Sequence, residues 1–264
     1  MKKALYPFVA VVVFIVMQIV AGIAMGIAEI VMGSAAVAWV ISICELCTIA
    51  IIAMLRMIDW KTVLNFKMIG WKTYALAIMG TMPSIFVLNM GVEVLDLTNS
   101  IEDLFISMSQ SMIGVLSIAV IGPIVEEFIF RESILGNMLR GGMNKWKAIT
   151  VSALIFGIIH INPAQVFFAA GMGFIFGIIY YKTGNIVITS ILHILSNGIA
   201  VWQMRSMGEA IKDFSMVEWL GGPATAICIA ILCTAVCIYL LLLLWKSPQS
   251  HNYPSEQVTE NTPN

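Results

Sequence analysis

The 264-residue chain has the composition of a protein embedded in a lipid bilayer. Hydrophobic residues make up 60% of it and charged residues 11%, whereas soluble domains average about 45–50% and about 25%. These values exclude a water-soluble globule, and the apolar residues suffice for roughly eight spans of about 20 residues each. The net charge of −1 provides no basic face and argues against a nucleic-acid partner.

Apolar stretches separated by short polar breaks predict an all-α fold, a polytopic membrane bundle of about eight transmembrane helices. The predicted spans are Ala4–Ile27, Ala35–Leu55, Tyr74–Val92, Met108–Leu139, Trp146–Ile161, Gln165–Tyr181, Asn185–Trp202 and Pro223–Trp245. The fourth stretch is too long for one span, so we expect its end to emerge into the cytosol. Residues 1–246 then form a single membrane domain. The polar tail 247–264 is predicted to be a disordered cytosolic extension.

The distribution of basic residues predicts the orientation of the bundle. The N-terminal Lys2 and Lys3 precede an apolar run too long for a usual cleaved signal peptide, so we predict a retained first span. With the N-terminus inside, 12 of the 14 Lys and Arg residues fall on inner segments, and Arg205 and Lys212 remain outside. This bias predicts cytosolic N- and C-termini, in what we expect to be a bacterial plasma membrane.

The few polar side chains inside these spans are the candidate functional residues. Insertion of an ionisable group at the bilayer centre costs about 2.5–3.5 kcal/mol of free energy, so each such residue is a candidate for a functional role. The candidates are Glu126, Glu127, Arg131, His160, His193 and Asn197, on three predicted helices. At about 1.5 Å per residue, four of them lie about 17 to 22 Å from the inner loops. This common depth predicts a single site for Glu126, His160, His193 and Asn197.

Helical spacing assigns different roles to these residues. Glu127 and Arg131 are four residues apart and can pair, whereas Glu126 is turned about 100° away from Glu127. His193 and Asn197 are also four residues apart and can contact one ligand. Hydrolysis needs a base for water and donors for the developing oxyanion. We therefore expect Glu126 with His160 to activate water.

In this reading, His193 and Asn197 donate hydrogen bonds to the oxyanion, and no metal is required. A catalytic Zn²⁺ held by Glu126, His160 and His193 is the competing interpretation. The sequence has no H-E-x-x-H motif, and these residues by themselves leave the question of a metal open. Glu45 stands alone in the second span, where it either makes a helix-packing hydrogen bond or lies on a substrate path or proton relay.

The three motifs resemble those of a known family in order and spacing. They are Glu126-Glu127-Phe-Ile-Phe-Arg131, Phe156-Gly-Ile-Ile-His160 and His193-Ile-Leu-Ser-Asn197. Together they resemble the CPBP intramembrane protease family, which joins type II CAAX prenyl endopeptidases with bacteriocin-processing and immunity proteins. The resemblance covers about residues 112–200, which would form a CAAX protease-like core.

The resemblance implies an eight-helix fold and an endopeptidase that acts inside the membrane. It implies that Glu126 is the general base with His160 as its partner, and that His193 and Asn197 contact the oxyanion. Glu127 and Arg131 match the remaining motif positions. The implied substrate is a membrane-associated peptide or protein, either a CAAX-type tail or a bacteriocin or other small peptide. The alternatives are a bacteriocin self-immunity protein with the same fold and a proton-coupled transporter, although the sequence shows no clear internal repeat.

Overall fold

A computed structural model describes residues 3–32, 35–64 and 70–247 of the chain. Within these ranges every regular element is helical, and the predicted tail lies outside them from position 248 onward. The helices are α1 (Tyr6–Met32), α2 (Ala35–Met54), α3 (Trp60–Leu64), α4 (Trp71–Val94), α5 (Glu102–Ser109), α6 (Met112–Arg140), α7 (Lys145–Ile158), α8 (Pro163–Thr183), α9 (Ile186–Met207), α10 (Met216–Trp219) and α11 (Pro223–Lys246). Short 3₁₀ segments occupy Lys3–Leu5 and Gly208–Asp213.

Seven of the described helices are long and apolar enough to cross a membrane, namely α1, α2, α4, α6, α8, α9 and α11. The predicted all-α polytopic membrane bundle is therefore confirmed. One of the eight predicted spans is not among these seven helices. It is Trp146–Ile161, which corresponds to the 14-residue helix α7. Such a helix is about 21 Å long and is shorter than the roughly 30 Å hydrocarbon core.

Local sequence signals set the ends of α7. The side chain of Asn144 accepts hydrogen bonds from the backbone N–H groups of Trp146 and Lys147 and caps the first turn. At the other end, Ile161 adopts φ 61°, a left-handed conformation that is unfavourable for a β-branched residue. The chain reverses there, and α8 begins at Pro163, a residue suited to the first turn of a helix.

Small residues allow α7 and α8 to pack closely as antiparallel neighbours. A Cβ atom on Gly157 would lie 2.7 Å from the Cβ of Ala170, and a Cβ atom on Gly173 would lie 2.9 Å from Cδ1 of Phe156. Both distances are shorter than van der Waals contact allows. The glycines therefore bring the motif residue Phe156 against α8.

Helix α6 carries the first motif and departs from a regular α-helix. The sequence predicted one helix from Met108, but that residue belongs to α5, and Ser111 caps α6 by accepting a hydrogen bond from Gly114 N at 3.0 Å. Two π-helical segments, Ser117–Ile121 and Phe128–Gly136, lie within α6. Between them the α-helical turn Gly122–Glu127 carries the two adjacent glutamates.

A tight turn between α8 and α9 positions the third motif. Gly184 adopts φ 60° at the end of α8, where a residue without a Cβ is favoured. The next residue, Asn185, accepts a hydrogen bond from Val187 N at 2.8 Å and caps α9. Helix α9 then packs along the first π segment and the glutamate-bearing turn of α6, which brings His193 to the glutamates.

Candidate active site

The glutamate-bearing turn of α6 is bracketed by π-helical segments on both sides. A π turn contains an extra residue and leaves backbone carbonyls without their usual partners, and such turns recur at functional sites. Side chains from neighbouring helices satisfy some of these carbonyls. Asn197 Nδ2 donates to Ile118 O at 3.0 Å, and Ser152 Oγ donates to Phe130 O at 3.1 Å. The unusual backbone of α6 is thus held by α7 and α9.

Glu127 and Arg131 form the ion pair that their spacing predicts. Arg131 Nε lies 3.0 Å from Glu127 Oε2, and both side chains are fully buried. The Arg131 guanidinium carbon lies 5.0 Å from the ring centroid of Phe156 and 5.7 Å from that of Phe176. Within the described part of the chain, its two terminal nitrogens have no hydrogen-bond partner. Aromatic faces therefore provide much of the surroundings of this buried cation.

His193 lies between the two adjacent carboxylates. Its Nδ1 is 3.0 Å from Glu127 Oε1, and its Nε2 is 3.6 Å from Glu126 Oε2. Because Glu127 is paired with Arg131, we assign the Nδ1 proton as a donor to Glu127. Nε2 then donates a hydrogen bond only when the ring carries both protons. The structure therefore places His193 against the glutamates as well as beside Asn197.

Glu126 and Glu127 differ in their access to a substrate. The side chain of Glu126 is 21% exposed, whereas that of Glu127 is completely buried. This difference agrees with the predicted rotation of about 100° between consecutive positions of a helix. Glu126 is consequently the carboxylate that water or a peptide can reach.

His160 joins the site through Phe156. His160 Nδ1 lies 2.7 Å from the carbonyl oxygen of Phe156, which leaves Nε2 of the neutral ring as an acceptor if Nδ1 carries the proton. The Phe156 ring makes T-shaped contacts with His160 and with His193, at centroid distances of 5.1 and 5.8 Å. The Phe156 ring therefore contacts both imidazoles.

Asn197 follows His193 by one turn of α9. One of its amide hydrogens is bound to Ile118 O, a contact with the π segment that spacing on α9 did not predict. The amide group has a second hydrogen, which remains for a ligand. The structure thus brings the six predicted residues into one region of the bundle, and their catalytic roles remain predictions.

The zinc alternative, with Glu126, His160 and His193 as ligands, stays a prediction. The described residues contain no group of three or more His, Cys, Asp or Glu side chains placed to hold a metal ion. Glu126 and His193 approach each other, and His160 Nδ1 faces the backbone carbonyl of Phe156, which leaves Nε2 as the ring nitrogen of His160 that faces a ligand.

Glu132 is a further buried carboxylate, and it is not among the residues predicted from the sequence. It accepts hydrogen bonds from Tyr180 Oη and, at 3.1 Å, from Asp59 N, and it lies 2.8 Å from Arg140 Nη2. These contacts hold the segment that follows α2 against helices α6 and α8. Glu132 therefore has a structural role. The sequence did contain a signal for Glu132, because it is an additional carboxylate inside an apolar predicted helix, directly after Arg131.

Glu45 of α2 also reaches this part of the bundle. Its Oε1 lies 3.1 Å from the position that a Cβ on Gly122 would occupy. Glu45 stands alone in its predicted span, because no periodic pattern links α2 to α6. Only the packing of these two helices shows that it lies beside the glutamate-bearing turn.

Comparisons with known proteins give a matching family model and two relatives. Residues 108–199 match the family model described as type II CAAX prenyl endopeptidase Rce1-like. The chain is 34% identical over 116 residues to "Membrane-embedded CAAX protease MroQ" of Staphylococcus aureus (strain USA300), a match that covers 42% of this chain and 47% of the relative. It is 34% identical over 83 residues to "Putative membrane peptidase YdiL" of Bacillus subtilis (strain 168), covering 31% of this chain and 34% of the relative.

The chain spans less than half the length of either relative. No solved structure matches it. The matched family segment nevertheless includes all six predicted site residues and the three motifs in order. The resemblance stated from the motifs is therefore confirmed: residues 108–199 of this integral membrane protein match the type II CAAX prenyl endopeptidase Rce1-like family model.

Proposed function

We propose that the protein is an intramembrane endopeptidase that hydrolyses a peptide bond of a membrane-associated substrate. The observation that carries the proposal is the position of His193 between the reachable carboxylate of Glu126 and the buried, Arg131-paired carboxylate of Glu127. A base, donors and a fixed supporting ion pair are the parts that peptide hydrolysis requires.

In the first step, Glu126 removes a proton from a water molecule as the water oxygen attacks the scissile carbonyl carbon. Glu126 suits this role because its side chain is partly exposed. His160 assists by accepting at Nε2 a hydrogen bond from the second O–H of the water, which stays on the water oxygen, since Nδ1 of His160 is directed to Phe156 O. The carbonyl oxygen becomes an oxyanion in the resulting tetrahedral intermediate.

The oxyanion is stabilised by donors on α9. His193 Nε2, in the doubly protonated ring, and the second amide hydrogen of Asn197 supply these hydrogen bonds. Removal of one such donor typically costs about 10²- to 10³-fold in kcat. Glu126 then returns its proton to the leaving nitrogen, the C–N bond breaks, and an amine and a carboxylic acid are released.

Glu127 and Arg131 act through His193 and do not contact the substrate in this scheme. Glu127 accepts a hydrogen bond from Nδ1 and thereby fixes the orientation of the imidazole. Arg131 holds the Glu127 carboxylate in place from the other side. Both residues are therefore positioning residues rather than catalytic ones.

The proposed substrate is a peptide or protein segment that reaches the site from the bilayer. The family description supports a prenylated CAAX-type tail, and a bacteriocin or another small membrane peptide fits the same chemistry. We place the protein in a bacterial plasma membrane, which agrees with the sources of the two relatives. Both termini are proposed to be cytosolic.

The test is cleavage by purified protein in detergent of two fluorogenic probes, a farnesylated peptide ending in a CAAX box and an unprenylated amphipathic peptide. Wild type is compared with Glu126→Ala and His160→Ala. Glu29→Gln is the matched control because Glu29 is an exposed glutamate of another helix, α1. We expect cleavage of at least one probe by wild type and the control, with a loss of about 100-fold or more in both alanine variants.

Equal cleavage of the probes by all four proteins contradicts the site assignment. Treatment with a chelator tests the zinc alternative: the proposal expects no loss of activity, whereas loss followed by restoration with Zn²⁺ overturns the metal-free mechanism. In a cellular immunity assay, undiminished protection by the alanine variants favours a non-catalytic immunity protein over the protease.

A further inference from the structure

Glu45 has a carboxylate oxygen that the mechanism above does not use. The residue lies in the middle of α2, a candidate membrane span, where an ionisable group is costly to insert. Its Oε2 is buried and has no hydrogen-bond partner among the described residues. A buried acceptor without a partner costs free energy unless something else supplies a donor.

Gly122 allows this carboxylate to approach α6 closely. A Cβ at position 122 would lie 3.1 Å from Glu45 Oε1 and 3.2 Å from Ser117 O. A larger residue would thus displace either the carboxylate or the backbone of the π segment. The absence of a side chain at Gly122 keeps Glu45 against the glutamate-bearing turn.

The contact places Glu45 beside Glu126. Gly122 and Glu126 are four residues apart within the α-helical turn Gly122–Glu127, so they lie on the same face, about 5–6 Å apart between Cβ positions. Glu45 therefore lies on the Glu126 side of the site, whereas the proposed oxyanion donors belong to α9.

A peptide bond that enters a site with little water brings two polar groups. Its carbonyl oxygen needs donors, and its N–H needs an acceptor. His193 and Asn197 provide donors, and Glu126 and His160 are occupied with the attacking water. This leaves the scissile N–H without an acceptor unless Glu45 supplies one.

We propose that Glu45 is a further catalytic residue, whose Oε2 accepts a hydrogen bond from the N–H of the scissile peptide bond. This inference rests on the proposed endopeptidase function. The existing hydrogen of the leaving nitrogen points to Glu45 while Glu126 delivers the second proton to the same nitrogen. Glu45 itself neither gains nor loses a proton, and its acceptor oxygen stabilises the leaving nitrogen as the C–N bond breaks.

An ester analogue of the substrate separates this role from a structural one. In the analogue the scissile N–H of the farnesylated CAAX probe is replaced by oxygen, at the bond located by mass spectrometry of the wild-type products. The ester has no hydrogen to offer Glu45 but still needs water activation by Glu126. We expect Glu45→Ala to lower kcat/KM for the amide by about 10- to 100-fold and to leave ester cleavage within twofold of wild type.

Two further variants keep the test informative if Glu45→Ala folds poorly. Glu45→Gln retains an acceptor oxygen without the charge, and we expect an amide-selective loss smaller than that of Glu45→Ala. Gly122→Ala retains every glutamate residue of the chain but displaces the Glu45 carboxylate, and it should also lower amide cleavage selectively. Glu29→Gln is the matched control and should change neither reaction.

The outcomes distinguish this inference from the proposed function. If wild type cleaves the amide and the ester, but the Glu45 and Gly122 variants lower both equally or lower neither, Glu45 does not bind the scissile N–H. If wild type cleaves neither compound, both the inference and the proposed function are overturned. Both the inference and the proposed function are supported if Glu126→Ala is the one variant that loses ester cleavage and the Glu45 variants lose amide cleavage selectively.

Discussion

Nδ1 of His193 lies 3.0 Å from Oε1 of Glu127, and this contact joins α9 to α6 at the centre of the candidate site. Because the second oxygen of Glu127 is held by Arg131 at 3.0 Å, the three side chains form a continuous polar chain. Nε2 of His193 faces Glu126 at the other end of the ring. Stability and catalysis should therefore respond differently to changes at the two adjacent glutamates.

The buried ion pair should behave as one unit in unfolding experiments. Removing one partner leaves the other charge buried and unpaired, which typically costs about 3–5 kcal/mol. We expect Glu127→Gln and Arg131→Met each to destabilise the protein by about that amount. The double variant should lose clearly less than the sum, as measured by unfolding in detergent and a double-mutant cycle. Additive losses would falsify the coupling, and Glu29→Gln should change the free energy of unfolding by less than about 0.5 kcal/mol.

Glu126→Gln should separate activity from stability. The variant keeps the size of the side chain but removes the proposed base, so kcat for the cleaved probe should fall by about 10²- to 10⁴-fold. The free energy of unfolding should change by less than about 0.5 kcal/mol, since the side chain is partly exposed and its ionic partner is 3.6 Å away. The two quantities are kcat in detergent and the unfolding midpoint. Loss of both to the same extent as in Glu127→Gln contradicts the division of roles.

Asn197 and Ser152 form a matched pair, because each donates a hydrogen bond to a carbonyl of a π segment. Asn197→Ala and Ser152→Ala should each cost about 1 kcal/mol of stability. Only Asn197→Ala also removes an oxyanion donor, so we expect it to lower kcat by about 10²- to 10³-fold. Kinetics and unfolding are measured on both variants. Equal activity of the two variants argues against the oxyanion role of Asn197.

The ring of Phe156 contacts both imidazoles and the Arg131 guanidinium. Phe156→Leu keeps a similar apolar volume but loses these aromatic contacts, each worth about 0.5–1.5 kcal/mol. We expect a stability loss of about 1–3 kcal/mol and a decrease in kcat of about tenfold, because both histidines become less well oriented. Phe174→Leu is the control, since Phe174 stacks on Trp146. A similar loss of kcat in the control indicates a general packing effect.

The orientation of the bundle can be tested by labelling intact cells. Single cysteines at Lys147 and Lys212 are introduced into a variant in which the five native cysteines are replaced. An impermeant maleimide should label Lys212→Cys and leave Lys147→Cys unlabelled until the cells are opened. This follows from the excess of basic residues on the predicted inner segments. The reverse pattern contradicts the predicted cytosolic termini.

The sequence was sufficient for the features that depend on local composition and spacing. Long apolar runs identified the candidate spans because the cost of burying backbone and charge in lipid acts on each segment separately. The separation of four residues between Glu127 and Arg131 was enough to predict their ion pair. The predicted span Trp146–Ile161 ends at the residue where the chain turns, but the sequence did not show that α7 itself ends at Ile158.

The tertiary structure decided how residues from different helices meet. The π segments of α6, the placement of His193 against both glutamates and the approach of Glu45 to Gly122 all depend on contacts between distant parts of the chain. Hydropathy and helical period specify where a helix lies and which residues share a face, but they contain no information on which faces pack together. The sequence alone therefore identified a membrane protein with one cluster of polar residues, and helix packing determined which atoms of that cluster face each other.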